Sequence, residues 1–302
     1  MAKSPRWSGV FPAATTQFAP DLSVDIDATQ KVLNALIADG VNGLVLLGTV
    51  GEGNTLNFAE KSAVMAAARE VVAGRVPVIA GVSEFTTTQA AALAKEAEKA
   101  GMDGLMVLPA MVYLPTEREL EHHFRTVAQA SGLPVMLYNN PPAYRVDISN
   151  AVLSALADLD NVVAIKESSS STRRFVDLPN ALGERYILFA GLDDVALEAL
   201  LLGAKGWVSG LTNAFPKESL AMVKAVAKGD LETARAIYRW FMPLLHLDAG
   251  HDLVQAIKLA EQVMGRGSER VRAPRRPLEG ARRAQVIELI ERAAASRGTL
   301  PL

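Results

Sequence analysis

The chain has 302 residues and contains no cysteine. This absence excludes disulfide bonds, thiolate metal sites and a cysteine nucleophile. Histidine is scarce, with four residues at positions 122, 123, 246 and 251, and their spacing is not typical of metal ligands. We therefore expect no metal site, and a zinc-dependent mechanism is disfavoured.

The chain also lacks a charge excess and a long apolar run. The formal net charge is −2, so no electrostatic attraction to nucleic acid or to acidic membranes is expected. No uninterrupted apolar run approaches the ~18 residues that span a bilayer, and the opening MAKSPRWSG has no apolar signal segment. We expect a cytoplasmic protein with a small-molecule partner, and no nucleic-acid or membrane partner.

Apolar runs of strand length recur along the chain. Three of them follow an Ala/Leu-rich stretch of helical spacing and a Gly-x-x-Gly pattern or a close variant, which is typical of a helix that ends on a glycine and turns into a buried strand. These are residues 39–48, 100–109 and 202–210. Five further runs occupy residues 9–16, 76–83, 134–140, 162–169 and 186–194.

Near-continuous apolar strands that alternate with helices predict an α/β fold with a parallel sheet covered on both faces. Eight such units within residues 1–215 fit a closed (β/α)8 TIM barrel better than an open, doubly wound sheet. Residues 216–302 have helical patterning only and predict a C-terminal α-helical extension. The alternative of a nucleotide-binding sheet is disfavoured, because GTVGEG at 48–53 has the wrong order of glycines for a dinucleotide loop.

Polar side chains follow several of the predicted strands. In a (β/α)8 barrel the active site lies at the carboxyl ends of the strands, so we expect these side chains to project toward one mouth. They are Thr49 and Glu52 after strand 2, Tyr138, Asn139 and Asn140 after strand 5, Lys166, Glu167 and Ser168 after strand 6, Asp193 and Asp194 after strand 7, and Ser209 after strand 8.

Lys166 ends the apolar run VVAIK at residues 162–166. Among apolar strands an ammonium group loses stabilisation, and its pKa falls from ~10.4 toward ~7. The neutral amine then attacks a carbonyl to form a Schiff base, which permits aldol cleavage, aldol addition or β-elimination at the neighbouring carbons. The structural alternative is an ion pair with Glu167 or another carboxylate at the barrel rim.

Other polar groups have both a catalytic and a structural interpretation. Tyr138 is one strand away from Lys166 and is placed to pass protons, or it is an interior aromatic with a backbone partner. The 48–53 turn exposes N–H groups that suit a carboxylate, with the Thr49 hydroxyl beside them, or it is a plain strand-to-helix turn. The serines at 168–171 predict a helix N-cap, and Ser168 is also a candidate substrate contact. Asp193 binds substrate hydroxyls or caps a helix.

The chain resembles the dihydrodipicolinate synthase / N-acetylneuraminate lyase superfamily over essentially its whole length. The resemblance rests on the helical tail and on five motifs in this order: GTVGEGNTL, YNNP, IKESS, GLDD and GWVSGLTN. The resemblance implies that Lys166 is the Schiff-base lysine, that Tyr138 transfers protons and that the Gly48–Thr49–Val50 turn is the carboxylate cradle. It implies a homotetramer built as a dimer of dimers. The predicted catalytic residues are Lys166, Tyr138 and Thr49. The predicted substrate-binding residues are Gly48 and Val50 in the carboxylate cradle, and Ser168, Gly191, Asp193, Val208 and Ser209.

Departures from the superfamily pattern disfavour the lysine-biosynthetic activity. Synthases of this type carry two adjacent threonines in the strand 2 turn, where this chain has Val50 as the second residue. They supply a tyrosine to a neighbouring subunit just after the strand 4 proline, whereas Pro109 here is followed by alanine and methionine. Their carboxylate-binding arginine corresponds to Ala143. Tyr113 and Arg145 are candidates to substitute from shifted positions. Sialic acid lyase activity is also disfavoured.

YNNPPAYRVDIS, YRWFMPLLHLD and LVQAIKLA resemble bacterial 1-pyrroline-4-hydroxy-2-carboxylate deaminases. The predicted reaction converts that cyclic imino acid to 2-oxoglutarate semialdehyde and ammonia, with no metal or organic cofactor. One alternative is a 2-keto-3-deoxy sugar acid as substrate, either dehydrated or cleaved to pyruvate. A non-catalytic, sugar-acid-sensing barrel is a further alternative, which predicts loss of the lysine or the tyrosine, and both are present.

Overall fold

The computed structural model describes residues 5–110 and 113–301. Eight strands form one parallel sheet, and each lies within one of the eight apolar runs that predicted a strand, so those predictions are confirmed. The strands are β1 (Gly9–Pro12), β2 (Leu44–Leu46), β3 (Val78–Val82), β4 (Gly104–Val107), β5 (Val135–Asn139), β6 (Val162–Glu167), β7 (Ile187–Ala190) and β8 (Gly206–Ser209).

The sheet closes on itself. Consecutive strands pair from β2 through β8, and β8 pairs with β1 from Gly206 opposite Gly9 to Ser209 opposite Pro12. The last gap, between β1 and β2, is bridged where the Ala14 N–H donates to the Val45 carbonyl at 2.8 Å. The predicted (β/α)8 TIM barrel is therefore confirmed.

Helices surround the barrel and continue beyond it. Local sequence explains several of their ends: capping boxes at Asn57 and Thr116 begin two of them, and Gly40, with a φ of 98°, ends a third. The helices are α1 (Ile26–Asp39), α2 (Phe58–Val72), α3 (Thr87–Lys99), α4 (Glu117–Gln129), α5 (Pro141–Tyr144), α6 (Asn150–Ala155), α7 (Arg174–Leu182), α8 (Ala196–Leu201), α9 (Pro216–Ala227), α10 (Leu231–Ala249), α11 (Leu253–Val263) and α12 (Gly280–Ser296).

The C-terminal helices cover one part of the barrel. Helix α9 packs against β1, α1 and α8, so it completes the ring of barrel helices. Helix α10 packs on α9 and on a short 3-10 turn after β7 at Asp193–Val195, which brings it to the carboxyl ends of the strands. The division at residue 215 stays a prediction, and it precedes α9. No helix in the described ranges is both long enough and apolar enough to cross a membrane.

Strand β6 contains one extra residue relative to β5. Val135 pairs with Val162, whereas the next residue of β5, Met136, pairs with Ala164, so Val163 has no partner across this pair. Such a β-bulge shifts the inside–outside alternation of the strand by one position. Beyond the bulge, Ile165 packs in the layer between sheet and helices, and Lys166 faces the barrel interior.

Candidate active site

Lys166 lies in a narrow cavity of about 50 Å³ at the carboxyl ends of the strands. Its side chain is buried, and its Nζ lies 4.0 Å from the centroid of the Tyr138 ring. Burial lowers the pKa of Lys166, whereas the charges of Asp248, Tyr144 and Asp193 act in the opposite direction. Because burial is the largest of these effects, the neutral amine is more accessible than in a solvated lysine.

The alternative in which Lys166 pairs with Glu167 is wrong. Glu167 faces the outer side of the barrel, where its Oε2 accepts hydrogen bonds from Arg174 Nε at 3.0 Å and from Asn139 Nδ2 at 3.0 Å. Within the described residues no carboxylate lies within 4.0 Å of the Lys166 ammonium. The lysine therefore faces the cavity without an ion-pair partner.

Tyr138 is the neighbour of Lys166 across the sheet, since the two residues pair in the β5–β6 register. Its hydroxyl accepts a hydrogen bond from Asn140 Nδ2 at 3.0 Å, and burial raises its pKa. Asn140 also caps α5, because its Oδ1 accepts the Ala143 N–H at 3.1 Å. One amide thus fixes the proton-transfer candidate and the start of the next helix.

The turn after β2 has the compact form that its glycines predict. The Glu52 N–H donates to the Thr49 carbonyl at 3.1 Å, and the Gly53 N–H donates to the Gly48 carbonyl at 3.2 Å. Gly48, Thr49 and Val50 line the cavity. The N–H groups of Thr49 and Val50 donate to no backbone carbonyl in the described part of the chain, which leaves them available to a carboxylate.

Tyr144 belongs to the site although the sequence reasoning missed it. Its hydroxyl lies 2.7 Å from Thr49 Oγ1, and its ring stands nearly perpendicular to that of Tyr138, with 5.6 Å between the centroids. Burial raises the pKa of Tyr144. The signal was the segment YNNPPAY: the prolines after Asn140 start a short helix that returns the chain to the cavity.

Neither candidate substitute for the missing superfamily residues lines the cavity of its own chain, and a contribution of Tyr113 to a neighbouring subunit stays a prediction. Tyr113 is 61% exposed, and its hydroxyl donates to Glu119 at 2.9 Å. Arg145 ends α5 in the left-handed region, with an exposed side chain. Ala143 itself lines the cavity. Within the described lining, Lys166 is the one cationic side chain.

Gly191, which follows β7, lines the cavity as predicted from the GLDD motif. A methyl group at this position would approach Lys166 Cγ to 2.8 Å and Ser168 Oγ to 2.0 Å. The Lys166 side chain therefore needs glycine at position 191, because any larger residue would clash with it. The serines at 168–171 do not supply the predicted N-cap, because the N-cap position of α7 is Arg173 and has no side-chain capping bond.

The remaining predicted contacts lie behind the cavity wall. Asp193 accepts hydrogen bonds from Trp207 Nε1 at 2.9 Å, Ser209 Oγ at 3.0 Å and the Leu211 N–H at 2.9 Å, so it holds the loop after β8. Ser168 and Val208 are buried as well. None of Ser168, Asp193, Val208 and Ser209 lines the cavity, and their predicted contact with substrate stays a prediction.

The expectation that every polar strand end faces one mouth is wrong for Glu52, Asn139, Glu167 and Asp194. Glu52 is fully buried behind the 48–53 turn, where its Oε1 accepts from Lys258 Nζ at 2.9 Å and its Oε2 from the Arg272 N–H at 2.9 Å. Asp194 pairs with His246 at 3.2 Å. A position after a strand does not fix which side of the loop the side chain takes.

Asp248 is a second residue that the sequence reasoning missed. It lies in the last turn of α10, is buried and lines the cavity. A methyl group on Gly210, just after β8, would approach Asp248 Oδ1 to 2.3 Å, so the carboxyl group rests on that glycine. Burial raises the pKa of Asp248 well above its ordinary value. The cavity thus holds one amine, one carboxyl group and two phenols.

We expect Tyr144→Phe to lower kcat by about 10- to 100-fold, because it removes one hydroxyl from the Thr49–Tyr144 contact while it keeps the ring that packs on Tyr138. Steady-state kinetics with the substrate of the enzyme measure the change. Tyr113→Phe is the matched control, since its hydroxyl bonds outside the cavity. Equal rates for wild type and Tyr144→Phe would remove Tyr144 from proton transfer.

Comparison with known proteins places this site in a family. The model of the dihydrodipicolinate synthetase family matches residues 6–293. This chain belongs to that family. A relative from Sorangium cellulosum, named 4-hydroxy-tetrahydrodipicolinate synthase, is 37% identical over 292 residues, which cover 96% of this chain and 97% of the relative. A relative of the same name from Rhodopseudomonas palustris is 36% identical over 92% of this chain and 94% of its own.

Solved structures of family members have the same fold. The 4-hydroxy-tetrahydrodipicolinate synthase of Methylacidiphilum fumariolicum SolV superposes with a TM-score of 0.92 at 28% identity, over 97% of this chain and 98% of that one. YagE, a family member from E. coli K12 solved in complex with pyruvate, gives a TM-score of 0.90 at 29% identity, over 95% and 99%. The resemblance to the superfamily is therefore confirmed, and the chain is a class I, Schiff-base-forming lyase of this family.

Proposed function

We propose that the enzyme converts 1-pyrroline-4-hydroxy-2-carboxylate to 2-oxoglutarate semialdehyde and ammonia. The observation that carries the proposal is the buried Lys166 amine, which faces the cavity unpaired beside Tyr138. The turn at 48–50 offers one place for a carboxylate. Apart from Lys166, which is the nucleophile, the described lining has no cationic side chain that could bind a second carboxylate. A substrate with a single carboxylate next to its electrophilic carbon fits this arrangement.

The first step of the proposed reaction is attack by the neutral Lys166 amine on C2 of the cyclic imine. The bond between C2 and the ring nitrogen breaks and the ring opens. The nitrogen gains protons and stays attached to C5 as an amine. Lys166 then holds C2 as a Schiff base, with the carboxylate at the N–H groups of Thr49 and Val50. Tyr138 carries the protons between the two nitrogens.

The second stage removes a proton from C3 and eliminates the C4 hydroxyl as water. The resulting C5 amine tautomerises to an imine, and one water hydrolyses it to an aldehyde and ammonia. A second water releases the 2-oxo acid from Lys166. One water leaves and two enter, so the net reaction consumes one water per ammonia formed, which balances the conversion.

Two other activities remain candidates for specific reasons. A 2-keto-3-deoxy sugar acid also has one carboxylate beside a carbonyl, so the same residues serve its dehydration, or its cleavage to pyruvate. The curated relatives carry the name 4-hydroxy-tetrahydrodipicolinate synthase. Against that activity in this chain are Val50 and Ala143, which line the cavity where the synthases place a threonine and an arginine.

The test is intact mass spectrometry after borohydride reduction, with the enzyme incubated separately with the hydroxypyrroline carboxylate, a 2-keto-3-deoxy sugar acid and pyruvate. We expect an adduct on Lys166 from the hydroxypyrroline carboxylate, together with ammonia release. Turnover of the sugar acid alone would reject the proposed substrate. Peptide mapping identifies the modified lysine in each case.

A further inference from the structure

Asp248 and Tyr138 lie on opposite sides of Lys166. Tyr138 belongs to β5, next to the lysine strand β6, whereas Asp248 rests on Gly210 after β8, beyond β7. Tyr144 packs against the Tyr138 ring and is therefore on the tyrosine side as well. A substrate held by Lys166 at its C2 therefore has phenols on one side and a carboxyl group on the other.

The proposed reaction leaves one proton transfer without a donor. Tyr138 serves the nitrogens and C3, which adjoin the lysine, but the hydroxyl at C4 lies two carbons farther along the substrate. A hydroxide ion is a poor leaving group, so C4–O cleavage needs an acid beside that oxygen. Within the described lining Asp248 is the one carboxyl group, and no ion pair engages it.

We propose that Asp248 is the acid that protonates the C4 hydroxyl as it leaves, so that the Schiff base on Lys166 proceeds by elimination rather than by cleavage of the C3–C4 bond. This inference rests on the proposed function. Asp248 contacts the substrate in this role and is a catalytic residue that neither strand-end position nor the superfamily motifs indicated.

The electron flow of the step balances. After loss of the C3 proton, the lone pair of the Lys166 nitrogen forms the C2=N bond, the C2=C3 pair moves to form C3=C4, and the C4–O pair leaves with the oxygen. The oxygen takes the proton of Asp248 and departs as water. Asp248 becomes a carboxylate and regains a proton from the C5 ammonium when that group forms the imine.

The protonation state of the enzyme group beside the C4 hydroxyl decides whether such a Schiff base undergoes elimination or C3–C4 cleavage. Cleavage of C3–C4 requires a base that removes the hydroxyl proton, whereas elimination requires an acid that adds one. The groups that face Asp248 are Lys166 on β6 and Asp193 and Asp194 after β7. Burial and the two aspartates raise the pKa of Asp248, while Lys166 and the Asp193 amide lower it, and the net direction favours the acid form.

The first experiment compares Asp248→Asn with the wild-type enzyme. We expect kcat for the hydroxypyrroline carboxylate to fall about 10²- to 10⁴-fold. The borohydride-reduced pyruvate adduct on Lys166 is expected to form as in wild type, because Schiff-base formation does not use Asp248. Asp160→Asn, the same chemical change at an exposed position outside the cavity lining, is the matched control and is expected to retain wild-type kcat. Asp248→Ala repeats the test if the asparagine variant does not fold.

The second experiment changes the leaving group. A 4-fluoro analogue loses fluoride, which needs no proton transfer of this kind, so we expect the rate ratio between wild type and Asp248→Asn to shrink to less than about tenfold. A ratio as large as that for the hydroxyl substrate would show that Asp248 has a structural role only. An Asp248→Asn rate within about threefold of wild type on the hydroxyl substrate would also overturn the inference.

The outcome for wild type separates this inference from the proposed function. If wild type releases no ammonia from the hydroxypyrroline but dehydrates a 2-keto-3-deoxy sugar acid, the proposed substrate is wrong. The ratio of the wild-type rate to the Asp248→Asn rate, measured for loss of the C4 hydroxyl of the sugar acid, then tests Asp248. If wild type cleaves the sugar acid to pyruvate, the group at C4 acts as a base, and the inference fails.

Discussion

Lys166→Met is expected to abolish the borohydride-reduced adduct and to lower kcat by more than about 10⁴-fold. The covalent step has no substitute in the cavity, because Lys166 is the one amine in the described lining, and loss of a nucleophile removes most of the catalysis that its partners support. Methionine has nearly the same length and suits the apolar surroundings of the buried strand, so the fold is expected to remain. Mass spectrometry and steady-state kinetics measure the two effects.

The matched control for this variant is Lys205→Met, which changes an exposed lysine near β8. It is expected to retain both the adduct and the rate. Full turnover by Lys166→Met would exclude every mechanism that passes through a Schiff base on Lys166, whichever substrate the enzyme uses. An adduct on another lysine in peptide mapping would have the same consequence for Lys166.

Lys258→Met is expected to lower the free energy of unfolding by about 3–5 kcal/mol. Lys258 is fully buried, and its Nζ donates to Glu52 Oε1 and to the Thr16 carbonyl, each at 2.9 Å. Without it, the fully buried Glu52 keeps only the more distant Arg275 guanidinium, 3.9 Å from its Oε2, as a charged partner within the described residues. Urea denaturation measures the loss, and the active-site turn that Glu52 anchors is expected to loosen with it.

Two comparisons make this prediction specific. Lys99→Met breaks an exposed pair with Glu96 and is expected to cost less than about 0.5 kcal/mol. Glu52→Gln combined with Lys258→Met removes both buried charges and is expected to be more stable than Lys258→Met alone. If the single variant lost under about 1 kcal/mol, the buried pair would contribute no more than an exposed one.

The strands and the lysine were predictable because both depend on local sequence. An apolar run with a glycine before it forms a buried strand in many contexts, and the end of such a strand in a barrel has a known location. Lys166, Tyr138 and the 48–50 turn satisfy these two conditions, and the structure brings them to one cavity. Glu52 satisfies them too, yet its loop turns it toward Lys258.

The two missed residues depend on packing between distant segments. Tyr144 reaches Thr49 because α5 folds back over the cavity. The positions of the two residues in the sequence do not show this contact. Asp248 enters from α10, a helix whose sequence predicts amphipathic packing but not the surface on which it packs. Its place becomes evident only when that helix is seen against the loop after β7 and against Gly210.

Because Val163 is unpaired, the number of residues in β6 determines which side chain faces the cavity as much as their identity does. Because side chains alternate along a strand, the residue beyond the bulge that faces inward is set by how many residues precede it. Deletion of Val163 itself would only remove the bulge, because Lys166 would still pair with Tyr138, whereas deletion of Ile165, beyond the bulge, would present Glu167 to the cavity and turn Lys166 outward. In sequence alignments of this family, a gap misplaced by one column at this strand would therefore exchange nucleophile and structural carboxylate.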